Sequence, residues 1–258
     1  SPWNYPIDLT LSPLVYALAS GNRVMIKPSE LTPSTSSVIQ TMFKEFFDQK
    51  EVAVFTGGPE VGAAFSSLPF DHLLFTGGTA IAKHVMKAAS ENLVPLTLEL
   101  GGKSPVVIGK NSNVAGAALR VIQGKTMNAG QICLAPDYAL VPENKVDEFV
   151  EESVSAVSDM YPTLKDNEDY TSIINEKHFE RIQSYLDDAK EKGAELVEIN
   201  PGKEDFSQQP HFKIPPTLVL NPTDDMKLMQ EEIFGPVLPI KSYGKVKESV
   251  EYINKKDR

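Results

Sequence analysis

Cysteine is almost absent: Cys133 is the single one in 258 residues. That excludes an intrachain disulfide framework and any Cys-rich zinc or iron–sulfur site, and it suits a reducing cytoplasm. Histidine is scarce too, four residues scattered along the chain, so no metal site is expected. Positive charge is in deficit, with 25 Lys plus Arg against 35 Asp plus Glu and a net charge of −10. No basic footprint for nucleic acid or anionic lipid is present, and a small-molecule partner is the expectation. No apolar run approaches the roughly 18 residues that span a bilayer, and no charged-then-apolar leader opens the chain. What remains is 41% hydrophobic and 23% charged, enough to bury a core in one large or two ordinary domains.

Helix-like and strand-like segments alternate. Leu11 to Ala19 has helical spacing, and Arg23–Lys27 reads as a short strand stopped by Pro28. A helix opens at Pro33, with Val38, Ile39, Met42, Phe43, Phe46 and Phe47 assigned to one face. Val52–Phe55 and His72–Phe75 are strands that break at Thr56-Gly57-Gly58-Pro59 and Thr76-Gly77-Gly78-Thr79. A helix from Ala80 to Ser90 follows the second break, with Ile81, Val85, Met86 and Ala89 placed inward. This alternation predicts an α/β fold with a Rossmann-like parallel sheet covered on both faces. Ligands collect on such sheets where strand ends meet helix starts, and Lys27–Glu30 and both Thr-Gly-Gly breaks lie on that edge.

Leu96–Leu100 is a further strand, and Gly101-Gly102-Lys103-Ser104-Pro105 is a flexible break. We place a domain boundary there: residues 1–100 as a coenzyme-binding domain and residues 101–258 as a catalytic domain. Beyond it the pattern predicts a strand at 106–108, helices at 114–128, 143–158 and 175–192, strands at 138–141 and 217–220, and a surface loop at 200–216. The motif Glu231–Pro236, one more strand and a last helix close the chain.

Two residues stand out chemically. Cys133 falls between a helix and a strand, where a loop can present a nucleophile, although a lone cysteine among apolar residues is more often a buried small hydrophobe. Glu99 sits among Leu96, Leu98 and Leu100. A carboxylate desolvated there would move toward a general base's range, whereas one turned to solvent would be an ordinary strand-end residue. Thr76–Thr79 before a helix can present backbone amides to a phosphate, but it lacks the full G-x-G-x-x-G spacing.

Six motifs then stand in one order: Pro2-Trp3-Asn4-Tyr5-Pro6, Lys27-Pro28-Ser29-Glu30, Phe75-Thr76-Gly77-Gly78, Leu98-Glu99-Leu100-Gly101-Gly102-Lys103, Gly130-Gln131-Ile132-Cys133 and Glu231-Glu232-Ile233-Phe234-Gly235-Pro236. Together they resemble the aldehyde dehydrogenase superfamily over essentially the whole chain. The run from Cys133 to Tyr138 is similar to its class 3 branch of coniferyl, fatty and aromatic aldehyde dehydrogenases.

The resemblance implies NAD(P)-dependent oxidation of an aldehyde to the acid. Cys133 would be the nucleophile, Asn4 an oxyanion donor beside the Cys133 amide, and Glu99 the base that activates water. Lys27 and Glu30 would hold the adenosine ribose; Trp3, Gly77 and Gly78 match the pyrophosphate region, and Ile81 would pack on adenine. Leu100 belongs to the same cofactor set. Glu232 would bind the nicotinamide ribose with Phe234 beside the ring, and Tyr5 would line the aldehyde pocket. A Glu at position 30 favours NAD, although class 3 relatives often use NADP as well. The family's pattern also implies a homodimer.

The chain begins without Met and ends at Arg258 after a helix-like stretch. It reads as a central fragment, and the terminal arginine suggests a trypsin-like cut. Alternatives are a semialdehyde or CoA-acylating relative, and a dinucleotide-binding core without turnover.

Overall fold

The computed structural model describes residues 1–256; the expectation attached to Arg258 lies outside the described residues. The chain divides into two compact units, Ser1–Gly101 and a second from Gly102 onward.

The first unit runs α1 (Asp8–Ala19), β1 (Val24–Ile26), α2 (Pro33–Phe46), β2 (Val52–Val54), α3 (Pro59–Ser66), β3 (Leu73–Gly77), α4 (Thr79–Ser90) and β4 (Leu96–Leu100). β1 pairs in parallel with β2, and β3 pairs in parallel with β4, setting Thr76 opposite Glu99 and Gly77 opposite Leu100. Leu14, Ile26, Ile39, Phe43 and Val52 form one small core, and Leu73, Val85, Ala89 and Val94 another.

Two of the expected helix faces are corrected. On α2, Ile39 and Phe43 are buried, but Val38 is 66% and Phe46 71% exposed. The buried row of α2 is Ser36, Ile39 and Phe43, and Val38, next to Ile39, is turned about 100° away from it. On α4 the buried row is Ala82, Val85 and Ala89, while Ile81 is 57% and Met86 49% exposed. The apolar face there is built partly from alanine, and the larger Ile81 and Met86 lie off it. α3 escaped the pattern because it is eight residues long with a glycine, Gly62, inside it.

The second unit contains β5 (Pro105–Val107), α5 (Val114–Thr126), β6 (Tyr138–Pro142), α6 (Val146–Met160), α7 (Glu176–Glu191), β7 (Glu195–Glu198), β8 (Thr217–Leu220), α8 (Lys227–Gln230), β9 (Val237–Tyr243) and α9 (Val246–Asn254). Its sheet has the order β5-β6-β9-β8-β7, parallel except for β7 against β8. Alternation along β6 shows that both faces are covered. Ala139 and Val141 join the core under α5 and α6. Tyr138 and Leu140 join the core with Ile182, Tyr185 and Ala189 of α7. This is the layered α/β arrangement that the alternating sequence pattern implies.

Local signals position these helices. Asn113 and Asn175 cap α5 and α7, accepting from the Gly116 and His178 amides at 2.7 and 2.9 Å. The expected helix from 114 to 128 stops at Thr126, because Asn128, Ala129 and Gly130 follow at φ 50°, 51° and 73°. The helix expected from 143 begins with a three-residue 3-10 turn, and α6 proper starts at Val146. β7 was not anticipated: with Glu at both ends of a four-residue edge strand it carries little hydrophobic signal.

Candidate active site

On the second unit, three successive left-handed residues turn the chain out of α5 and into the loop that carries Cys133. Gly130 permits this turn in two ways. Its φ is +73°, and a Cβ there would stand 2.3 Å from the Gly235 carbonyl oxygen. The Cys133 loop therefore lies directly against the Glu231–Pro236 segment. Gly235 is confined in turn, since a Cβ on it would meet Ile182 Cδ1 at 2.5 Å.

Gln131 fastens the same loop from within. It is buried, its amide Nε2 donates to the Asn128 and Ser172 carbonyls at 3.0 Å each, and its Oε1 accepts from the Ile174 amide at 3.0 Å. Ser104 Oγ donates to the Cys133 carbonyl at 3.4 Å. Cys133 is a free thiol, half-buried. The buried-hydrophobe alternative therefore does not describe it.

The Glu232–Phe234 segment is clamped by charged residues. Asp137, buried, is ion-paired with Lys103 and accepts from the Ile233 amide at 3.0 Å. Lys103 Nζ also donates to the Leu228 and Glu231 carbonyls at 2.7 and 3.1 Å. The Arg181 guanidinium donates to the Glu232 and Ile233 carbonyls at 3.3 and 2.8 Å and lies 5.2 Å from the Tyr185 ring centroid. Tyr185 Oη donates to Glu231 Oε2 at 2.5 Å. Within this frame Phe234 takes a left-handed φ of 48°, an uncommon conformation for a bulky residue that the surrounding bonds over-determine.

Burial pushes the Glu232 carboxyl above its ordinary value, and the charge of Asp137 adds to the push; the Gly102 amide, Arg181 and Lys125 pull the other way. Lys125 lies on the buried face of α5, 2% exposed, with its Nζ 3.9 Å from Asp137 Oδ1. Burial lowers its ammonium to about 8 against the support of Asp137.

On the first unit, Lys27 Nζ meets Glu30 Oε2 at 2.6 Å. Burial pulls the Glu30 carboxyl upward, but its bond to Lys27 and that lysine's charge hold it below its ordinary value. β3 delivers Gly77 and Gly78 to the start of α4, where Gly78 is the N-cap and accepts from the Ala82 amide at 3.0 Å. A Cβ on Gly77 would strike Phe75 Cζ at 2.7 Å, while nothing lies within 4 Å of one on Gly78. The backbone at Gly78 is thus open to a ligand at the start of a 12-residue helix. Trp3, Asn4 and Tyr5 are half-buried in the bends that lead into α1.

Of the two readings of Glu99, the solvent-facing one describes β4. Alternation along β4 turns Leu96, Leu98 and Leu100 inward and leaves Glu99 exposed. The desolvated carboxylate does not occur, because a strand residue between two inward leucines must face the opposite side.

The structure thus joins Lys27 to Glu30 and Gly77 to Leu100 on the first unit, and the Cys133 loop to the Glu232–Phe234 segment on the second. Lys103, Asp137, Lys125, Gln131, Arg181 and Tyr185 were not anticipated as site residues. Lys103 and Gln131 lay within the six motifs and Asp137 within the Cys133–Tyr138 run, without an assigned role, and Lys125 carried a signal as a lysine in helical register with Val121, Ile122 and Ala118. Among the described residues no group of three or more His, Cys, Asp and Glu could hold a metal ion, and no helix is long and apolar enough to cross a membrane.

The model of the aldehyde dehydrogenase family matches residues 1–258. The chain is 62% identical over 258 residues to a probable coniferyl aldehyde dehydrogenase of Caulobacter vibrioides, covering 100% of this chain and 53% of that protein. It is 54% identical to the coniferyl aldehyde dehydrogenase of a Pseudomonas species, covering 100% of this chain and 54% of that one. Among solved structures, a mutant of aldehyde dehydrogenase C from Pseudomonas syringae, in complex with NAD+ and octanal, superposes with a TM-score of 0.88. It is 30% identical, covering 98% of this chain and 53% of the other. The chain therefore spans about half the length of the curated relatives it matches.

Proposed function

Since this chain belongs to the aldehyde dehydrogenase family, we propose that its protein oxidises an aromatic aldehyde of the coniferyl type, or a medium-to-long aliphatic one, to the acid with NAD. The observation that carries this is a half-buried thiol on a loop locked against the Glu232–Phe234 segment. The likeness to two coniferyl aldehyde dehydrogenases supports the substrate class.

The residues fit NAD. Gly78 leaves open backbone at a helix N-terminus for a pyrophosphate, next to Gly77, with Trp3 serving the same region. Lys27 and the ionised Glu30 suit ribose hydroxyls, and the carboxylate disfavours a 2′-phosphate. Ile81, exposed in the first turn of α4, is free to pack on adenine, and Leu100 lies across β3–β4 from Gly77. Glu232 would accept from the nicotinamide ribose, with Phe234 beside the ring. When bound, NAD supplies the acceptor for the hydride that leaves the aldehyde carbon.

In this scheme the Cys133 thiolate adds to the aldehyde carbon, giving a thiohemiacetal oxyanion held by the Asn4 side-chain amide and the Cys133 amide. Loss of hydride leaves an acyl thioester on Cys133. Glu99 then takes a proton from water, whose oxygen attacks the acyl carbon and releases the acid and the thiolate. Exposure of Glu99 on this chain suits contact with water. Tyr5, next to Asn4, is assigned to the aldehyde pocket. The first unit is the coenzyme-binding part and the second the catalytic part. A single unpaired thiol fits a reducing cytoplasm, and homodimeric assembly follows the family.

The test is NADH formation from coniferyl aldehyde, hexanal and succinic semialdehyde by the full-length protein, with and without CoA. Cys133→Ala should abolish turnover while NAD binding persists in calorimetric titration. Retained turnover overturns the proposal, and dependence on CoA replaces hydrolysis with acyl transfer to CoA.

A further inference from the structure

A peptide unit is planar and rigid, so a stretch of backbone is fixed when successive planes are held at their edges. Three such planes follow one another between Glu231 and Phe234. The carbonyl of the first, that of Glu231, accepts from Lys103 Nζ at 3.1 Å. The second, joining Glu232 to Ile233, is gripped on both edges: its carbonyl accepts from Arg181 Nη1 at 3.3 Å, and its amide donates to Asp137 Oδ1 at 3.0 Å. The carbonyl of the third, that of Ile233, accepts from Arg181 Nη2 at 2.8 Å. Side chains therefore make the bonds that a helix or a sheet would make with its own backbone.

Of the three side chains, Arg181 is the one that touches two consecutive planes. A guanidinium can do this because it is a planar fork with its donors at fixed angles, whereas a lysine ammonium is a point charge. The fork is itself held. It lies 5.2 Å from the ring centroid of Tyr185, one turn further along α7, and the Tyr185 hydroxyl donates to Glu231 Oε2 at 2.5 Å. Between them, Ile182 Cδ1 would meet a Cβ on Gly235 at 2.5 Å. One turn of α7 thus faces the segment from Glu231 to Gly235. The Glu232 Cα stands between the first and second planes, and the Phe234 Cα follows the third at a φ of 48°. A bulky residue does not hold that left-handed conformation by its own preference.

We propose that Arg181 is a positioning residue for Glu232 and Phe234: its guanidinium fixes the two peptide planes between them, and with those planes the directions in which both side chains leave the backbone. The consequence for hydride transfer rests on the assignment of Glu232 to the nicotinamide ribose and Phe234 to the ring; the hold on the backbone does not.

The test compares Arg181→Gln and Arg181→Lys in the full-length protein, each with its unfolding midpoint measured. Without coenzyme, deuterium exchange read by mass spectrometry in the peptide covering residues 231–236 should quicken about tenfold in both variants, the value of one lost hydrogen bond. Exchange in the peptide covering α5 should keep its rate. In turnover with NAD and hexanal, kcat should fall about 100-fold, as ångström-scale misplacement of a reactant does. The KM for NAD should change far less, and ADP-ribose, which lacks the nicotinamide, should bind as before. The isotope effect on kcat with C1-deuterated hexanal should rise as hydride transfer becomes limiting. Should Arg181→Gln not fold, Arg181→Lys carries the same comparison. Unchanged exchange at residues 231–236 in a folded variant overturns the proposal. So does an Arg181→Lys variant that exchanges like the unsubstituted protein, since charge and not the fork would then hold the segment. Exchange that quickens equally in all peptides marks a general loss of stability and also overturns it. Local quickening with an unaltered kcat upholds the hold of Arg181 on the segment and removes Glu232 and Phe234 from the nicotinamide.

Discussion

Gly130 and Gly235 approach so closely that a single methyl group cannot be placed between them: a Cβ on Gly130 would lie 2.3 Å from the Gly235 carbonyl oxygen. One glycine ends the turn that leads to Cys133, and the other follows Phe234. The cysteine loop and the Glu232–Phe234 segment are thus in direct backbone contact.

Gly130→Ala should be severe. It combines a left-handed backbone, costing about 1–2 kcal/mol for a non-glycine residue, with a clash against backbone that cannot rotate away, costing about 1–3 kcal/mol. Chemical denaturation should show a loss of about 2 kcal/mol or more, whereas Gly193→Ala, with a φ of +87° but nothing within 4 Å, should lose only the backbone part.

Gln131→Ala removes three hydrogen bonds at once and leaves the Ile174 amide and the Asn128 and Ser172 carbonyls without those partners. The Asn128 carbonyl keeps the residue-131 backbone amide at 3.1 Å, so the loss falls on the Ile174 amide and the Ser172 carbonyl. At about 1–3 kcal/mol for each buried group losing its partner, a loss of about 2 kcal/mol or more is expected in the unfolding free energy. Alkylation of Cys133 should quicken in the same variant, since its loop loses its internal fastening.

Stability should depend on pH through Lys125. Its ammonium is lowered to about 8 from 10.5, so between those values the unfolded chain binds more protons than the folded one and stability rises with pH. Below about pH 8 the full penalty of the buried charge applies. Lys125→Met should therefore be favoured most at neutral pH, and its advantage should shrink as pH climbs toward 10.5. Paired denaturation curves at several pH values measure this; an advantage that grows across the window would contradict it.

Glu30→Gln should relax coenzyme choice. It removes the carboxylate paired with Lys27 at 2.6 Å and with it the repulsion of a 2′-phosphate. The ratio of NADP to NAD affinity should rise roughly tenfold, equivalent to about 1.4 kcal/mol, as read by fluorescence titration with each coenzyme.

The regular elements were legible because apolar spacing and caps are local signals. Apolar spacing placed helices at 114–128 and 175–192, and the structure holds α5 and α7 there with ends shifted by one or two residues. Ile81 and Met86 were misplaced because on α4 the buried row is made of Ala82, Val85 and Ala89, and residue size does not reveal which row faces in. Glu99 was left between two readings because its leucine neighbours are apolar, and strand alternation, which turns it away from them, decides for the exposed one. Lys103 and Asp137 stood within the quoted motifs, but their clamp on the Glu232 segment was not legible, since with Arg181 they come from distant parts of the chain and bind mostly backbone atoms, which leave no mark in sequence. The order of the six motifs, by contrast, carried the family outright.

The most direct test of the proposed chemistry is to trap the acyl group. Full-length protein carrying Glu99→Gln, mixed with NAD and coniferyl aldehyde for one turnover and digested, should yield the Cys133 peptide heavier by the coniferyl acyl group, with one NADH released per site. NADH release that leaves the Cys133 peptide unmodified, or that persists in Cys133→Ala, would contradict the account.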